Sequence, residues 1–139
     1  MQTTSKILMV RPFRFAFNEE TALNNHFQQQ ADFAGAEAVR AQEEFDAFVN
    51  RLRGRDVEVL VVQDSPDPLT PDAVFPNNWF SSHLSGELVL YPVFAPNRRL
   101  ERKREAVIST YGTILSVPLS TVEMLGGGSV RCMMAEIFY

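Results

Sequence analysis

Apolar and polar positions fall into short blocks along the chain, and each block predicts an element. Lys6-Ile7-Leu8-Met9-Val10-Arg11 is an apolar run closed by Pro12, which predicts a first strand. Within residues 33–53, Ala38, Ala41, Phe45, Phe48 and Leu52 recur at three- and four-residue spacing. That spacing predicts a helix with one apolar stripe facing the core, and it leaves Glu43, Glu44 and Arg51 on the wet side. Asp32 is placed to cap this helix and Gly54 to end it. Val57-Glu58-Val59-Leu60-Val61-Val62 is nearly all β-branched or aliphatic, the pattern of a strand covered on both faces. Strand, helix and strand in this order predict a right-handed βαβ crossover.

The second half repeats the alternation. Residues 63–72 carry three prolines and three aspartates and read as a loop. The loop runs into Ala73-Val74-Phe75-Pro76-Asn77-Asn78-Trp79-Phe80, an apolar, strand-like run interrupted by two adjacent amides. Asn is depleted in strands, and a buried amide without partners costs about 1–3 kcal/mol. Asn77 and Asn78 therefore either bond the chain's own backbone at a strand end or face a ligand. Gly86 marks a turn, and residues 87–92 read as a return strand. Residues 97–111 predict a second helix, with Asn97 as its cap and Leu100, Val107, Ile108 and Tyr111 as its apolar face. Thr113-Ile114-Leu115-Ser116 predicts a short strand, and residues 130–138 another.

Composition narrows the class. The chain has 139 residues, 45% apolar and 22% charged, one domain's worth of a globular protein. A net charge of −4 argues against nucleic acid or an anionic membrane as partner. No apolar run approaches the roughly 18–20 residues of a membrane span. The first residues carry no secretory pattern, and the single cysteine allows no internal disulfide, so a reducing cytoplasm is expected.

Candidate chemistry is sparse. His26 and His83 are the two histidines; neither has an orienting carboxylate or a ligand set nearby in sequence, and both read as structural. Asn18, Asn24 and Asn25 suit capping, turning or binding alike. Arg98, Arg99, Arg102, Lys103 and Arg104 crowd the start of the second helix. They read either as a solvated face paired with Glu101 and Glu105, or as the source of an arginine that grips a substrate carboxylate. Cys132 follows Gly126-Gly127-Gly128-Ser129 and adjoins Arg131. It is either a buried structural cysteine or a nucleophile whose thiolate is favoured by the cation. No phosphate-binding loop is present, because no Lys-Ser/Thr follows the glycines.

Several segments together resemble one superfamily. Met9-Val10-Arg11-Pro12, the Asn18…Thr21…Asn24-Asn25…Phe27-Gln28 stretch, Asp72-Ala73-Val74-Phe75-Pro76-Asn77-Asn78-Trp79-Phe80, Ala95-Pro96-Asn97-Arg98-Arg99 and Gly126-Gly127-Gly128-Ser129-Val130-Arg131-Cys132-Met133 are similar to the amidinotransferase and arginine-deiminase enzymes, most nearly the citrulline-utilisation hydrolase type. The resemblance implies an α/β fold, part of the pentein propeller: a ββαβ-type module plus a C-terminal strand. It implies a covalent mechanism on a guanidino or ureido group, with Cys132 as nucleophile. It implies that Asp72 meets the amino-acid end of a small-molecule substrate and that Asn77 and Asn78 replace a pair that is acidic in arginine-type relatives. Arg98 or Arg99 matches a carboxylate-binding arginine. No cofactor and no metal is implied.

Two departures matter. Amides both donate to and accept from a neutral ureido group, whereas carboxylates suit a cationic guanidinium, so citrulline is expected over arginine. The family's central histidine stretch and its mid-chain acid are absent from the sequence. Residues 1–116 resemble the N-terminal part of the family and 117–139 its C-terminal end, joined near 115–118, so the chain reads as a single, internally deleted domain. An exposed inner face makes self-association an expectation.

Overall fold

The computed structural model describes residues 5–22 and 36–116. These fall into two compact units divided between Phe75 and Pro76.

In the first unit, β1 (Lys6–Arg11) pairs in parallel with β2 (Glu58–Gln63), in register from Lys6 opposite Glu58 to Arg11 opposite Gln63. Between them lie α1 (Glu19–Ala22) and the long α2 (Ala36–Arg53). The strand–helix–strand order and the parallel pairing are those expected. The Asp32 cap lies outside the described residues. Phe45, Val49 and Val59 form the core, with Ile7, Met9, Leu52, Val57 and Val74 packed against it. Phe48, placed on the apolar stripe from sequence, is instead 53% exposed. At about 100° per residue the buried line runs through Phe45, Val49 and Leu52, and Phe48 falls about 60° to one side of Phe45. The other face of the sheet is less covered than expected: Leu8, Leu60 and Val62 are half-buried, and Val61 is 38% exposed on the helix side.

The end of α2 corrects a second detail. Gly54 continues the helical bonding through its N–H to the Asn50 carbonyl at 3.0 Å. The left-handed residue is Asp56, with φ 59°. Its N–H donates to Arg53 O at 3.2 Å, and the Val57 N–H donates to Leu52 O at 3.2 Å. This is the Schellman arrangement, and Leu52 and Val57 supply its hydrophobic contact. Arg11 fastens the same helix to β1 through a two-pronged pair with Asp46, both bonds 2.8 Å. That bond holds the Asp46 carboxyl below the ordinary carboxylate range. The pair therefore stabilises the fold at neutral pH, and its contribution is lost as pH falls through the lowered carboxyl value.

In the second unit, residues 76–78 form a 3₁₀ turn rather than a strand, closed by the Trp79 N–H on Pro76 O at 3.1 Å. Proline presets the backbone angle and asparagine favours turns, so local chemistry overrides the apolar pattern here. β3 (Phe80–Ser82) then pairs antiparallel with β4 (Glu87–Leu90), and β4 pairs in parallel with β5 (Thr113–Ser116). Gly86, at φ 92°, makes the hairpin turn as expected. Gly112 is needed for a different reason: a Cβ there would collide with the carbonyl oxygen of Gly86, which accepts the Thr113 N–H at 3.1 Å. Among the described residues of this unit, Trp79, Leu88, Leu90, Tyr91, Val93, Ala95 and Ile108 are the buried apolar ones.

The connection from β4 to β5 is helical over the expected span but broken. It runs through α3 (Pro96–Arg99), a 3₁₀ stretch from Leu100 to Arg104, α4 (Glu105–Ile108) and a last 3₁₀ turn from Ser109 to Tyr111. Pro96, not Asn97, starts it, and Ala95 is the capping position without a side-chain bond. The unit is thus a ββαβ arrangement, the module expected from sequence. Among the described residues, no helix is long and apolar enough to cross a membrane.

Two substitutions test this core. Phe45→Ala is expected to cost about 3–5 kcal/mol and Phe48→Ala less than about 1 kcal/mol in urea unfolding followed by far-UV circular dichroism. Asp56→Gly removes the left-handed penalty and is expected to raise stability by about 0.5–1 kcal/mol in the same measurement.

Candidate active site

Asp72 stands at the end of the loop that follows β2 and is 4% exposed. Its Oδ2 accepts a 2.7 Å bond from Asn18 Nδ2, and Thr21 Oγ1 approaches the same oxygen at 3.5 Å. Asn18 is itself buried, and it starts α1: its Oδ1 accepts the Glu20 N–H at 3.2 Å, and its carbonyl accepts from Thr21 N and Ala22 N at 3.2 and 3.0 Å. Of the three readings left open for Asn18, the cap is made, and its amide nitrogen meets Asp72 besides. Residues 54 positions apart are brought together, both from segments that carry the family resemblance.

The start of that loop is held by a second buried acid, Asp64, which sequence reasoning did not single out. Asp64 is 3% exposed. It accepts from the Ser65 N–H at 2.8 Å, from Thr70 Oγ1 at 3.2 and 3.3 Å and from the Phe13 N–H at 3.4 Å. Its one sequence signal is position: a carboxylate placed directly after a buried strand. Loop residues 64–72 are therefore anchored at both ends by carboxylates that accept neutral donors.

Asn77 and Asn78 lie in the 3₁₀ turn of the second unit, Asn77 exposed and Asn78 half-buried. Arg98, in α3, is 8% exposed and meets the fully buried Glu101: Nε donates to Oε1 at 2.9 Å and Nη2 to Oε2 at 3.2 Å. Arg99 instead donates to the Val93 and Phe94 carbonyls at 2.9 and 3.1 Å. The cluster pairs with Glu101 and Glu105 as one alternative had it, Arg102 with Glu105 at 3.7 Å, but the Arg98–Glu101 pair is buried rather than solvated. Arg98, Glu101 and Arg104 turn inward, while Leu100, Val107 and Tyr111, expected to face the core, are 45%, 45% and 51% exposed. The 3₁₀ geometry explains the alignment, because residues three apart stack on one side. Arg104 donates to Glu101 O at 3.1 Å, and burial pushes its guanidinium down to about 10.

His83 is exposed, with Nε2 3.0 Å from Ser81 Oγ, which lies 2.5 Å from the Tyr91 hydroxyl. Among the described residues, no group of His, Cys, Asp and Glu is arranged to hold a metal ion. Cys132, His26, Asn24 and Asn25 lie outside the described residues.

The first unit, a parallel β–α–β pair, and the second, a ββαβ arrangement, are each α/β, the class of which pentein modules are made. The sequence matches the family described as N,N dimethylarginine dimethylhydrolase, eukaryotic, over residues 11–109 and 103–139. The chain belongs to that family, within the pentein amidinotransferase superfamily of guanidino-modifying hydrolases and amidinotransferases. The fold is similar to unliganded AgrE, with a TM-score of 0.57 and 21% identity over 81% of this chain. It is similar to the ternary complex of AgrE with ornithine and NAD+, with a TM-score of 0.57 and 22% identity over 83% of this chain. The chain spans 16% of the length of the AgrE chains. No curated protein matches the sequence.

Glu101→Gln is expected to leave the buried Arg98 without its countercharge and to cost about 3–5 kcal/mol. Urea unfolding followed by the fluorescence of Trp79, the sole tryptophan, reads the change within the same unit.

Proposed function

We propose that this chain carries the ligand-gripping residues and the nucleophile of a hydrolase that acts on the ureido or guanidino group of a small amino acid, with citrulline as preferred ligand. The observation that carries the reading is the buried Asp72, held by Asn18 inside the motif that resembles the superfamily. In this reading Asp72 receives the amino-acid end of the ligand, Arg98 its carboxylate, and Asn77 and Asn78 its ureido group. A carboxylate pair opposite a neutral ureido would leave charge unpaired; an amide pair matches it with donors and acceptors both. The name of the matched family puts dimethylarginine beside citrulline and arginine as a ligand to compare. AgrE has been solved with ornithine, the amino acid left when citrulline loses its carbamoyl group.

The covalent step falls to Cys132. Its thiolate attacks the ureido carbon and forms a C–S bond; the C–N bond to the terminal nitrogen breaks, and that nitrogen leaves as ammonia after taking a proton. Water then attacks the thiocarbamoyl carbon, the C–S bond breaks and the thiol returns, and the carbamic acid released parts into carbon dioxide and the amine. A cytoplasmic setting keeps that single cysteine reduced.

A second reading is a catalytically inactive binding domain of the same family. The sequence favours it specifically, since His26 and His83 stand in no context that matches the family's catalytic histidine. The family match in two stretches, 11–109 and 103–139, supports a chain that joins an N-terminal part to a C-terminal end. Self-association of such a joined chain is part of the same proposal.

Ammonia and amine release from citrulline, arginine and dimethylarginine, measured for the protein beside Cys132→Ser, tests both readings. Turnover of citrulline that the substitution abolishes is the expected result for the hydrolase. Retention of citrulline by both proteins without turnover assigns the chain to the binding reading, and a preference for arginine overturns the ligand assignment.

A further inference from the structure

We propose that Ser81 and His83 form a second nucleophilic site, on the β3–β4 hairpin, that transfers the acyl group of an activated ester to water. The site uses none of the residues assigned to the ureido ligand. The hairpin brings three polar side chains together. Ser81 stands opposite Val89 in the antiparallel pairing, which puts Tyr91 diagonally across from it on the same face. Ser81 Oγ lies 2.5 Å from the Tyr91 hydroxyl and 3.0 Å from His83 Nε2. The backbone that carries them is pinned on both sides. The Tyr91 N–H donates to Trp79 O at 2.7 Å, the His83 N–H to Glu87 O at 3.0 Å and the Gly86 N–H to His83 O at 3.0 Å. Tyr91 is fully buried, Ser81 half-buried and His83 exposed, so the row runs outward from the core and ends on an imidazole open to a reactant.

A hydroxyl within hydrogen-bond reach of an imidazole is the pairing of a nucleophile with its base. With the His83 ring proton on Nδ1, Nε2 accepts the Ser81 proton. The Tyr91 hydroxyl then donates to Ser81 Oγ and holds the serine towards the imidazole. In the reaction Ser81 Oγ bonds to the ester carbonyl carbon while its proton passes to Nε2. The C–O bond to the leaving group breaks, and Nε2 returns the proton to the departing oxygen. Water repeats the sequence on the acyl-serine: its oxygen bonds to the carbonyl carbon, its proton passes to Nε2, the C–Oγ bond breaks and the serine recovers its proton. A position on the surface of a hairpin suits a small acyl group on an acidic alcohol, such as an aryl ester, whose departure needs little help.

A fluorophosphonate reads the first step on the full chain: Ser81 Oγ displaces fluoride and keeps the phosphoryl group, and peptide mass spectrometry locates the adduct. Hydrolysis of p-nitrophenyl acetate reads the whole cycle. The expected results are an adduct on Ser81, formed about a hundredfold more slowly in His83→Gln, and an ester turnover that Ser81→Ala removes. The adduct is sought on the unmodified protein, so the test stands whether or not a variant folds, and far-UV circular dichroism checks the two variants. Absence of a Ser81 adduct or of ester turnover overturns the proposal. So does an adduct that forms as fast in His83→Gln, or a turnover that survives Ser81→Ala and so belongs to the imidazole or to Cys132 alone.

Discussion

The first unit depends on how the chain closes loop 64–72. Asp64 and Asp72 are both buried, and burying a carboxylate is costly unless donors meet it. Asp64 finds those donors on Ser65, Thr70 and Phe13, and Asp72 finds one on Asn18. These donors come from the loop itself and from the segment after β1. The two acids thus tie the ends of the loop to residues 13–21, and β1 pairs in parallel with β2, where the loop starts. The hydrophobic core under α2 supplies the bulk of the burial, but it does not say where the loop lies. The carboxylates do.

The second unit meets the same problem with charges of both signs. Arg98 and Glu101 form a buried fork-to-fork pair, and Arg104 turns inward beside them at the cost of a depressed guanidinium value. Such a pair is weak evidence of net stability, since hydrophobic residues of similar volume often do as well. What it fixes is geometry: with Glu101 fully buried and both oxygens engaged, the plane of the Arg98 guanidinium is set by its own helix. The apolar residues displaced from this face, Leu100, Val107 and Tyr111, are left outward. Of the apolar face drawn from periodicity, Ile108 alone is buried.

These two cases explain how much of the molecule was legible in the sequence. β1, β2, β5, the hairpin at Gly86 and the extent of α2 follow from apolar runs and turn residues, because backbone preference and burial agree there. Legibility fails where a polar group takes a core position. Glu101 read as solvent-facing because its partner lies three residues earlier on a helix whose 3₁₀ geometry no pattern announces. Asp64 read as one loop acid among three. Phe48 and Val49 are adjacent and both apolar, and only packing decides which is inside. The Asn77-Asn78 run read as strand since its flanks are apolar, yet proline followed by two turn-forming residues folds locally. Asp72 and Arg98 were named by resemblance; Asn18 lay in a resembling segment and Glu101 was read as an arginine's partner, but neither the Asn18–Asp72 bond nor the burial of Glu101 was legible.

That asymmetry has a consequence for the proposed ligand contacts. Asp72 is oriented by Asn18 inside the first unit, and Arg98 by Glu101 inside the second. Each candidate contact is thus prepared by a partner from its own unit. The orienting partners differ in kind. Asn18 is a neutral amide, whereas Glu101 offsets the charge of Arg98 and reduces its pull on a carboxylate. In the proposed reading, recognition of a carboxylate by Arg98 therefore relies on the geometry of the fork more than on net charge.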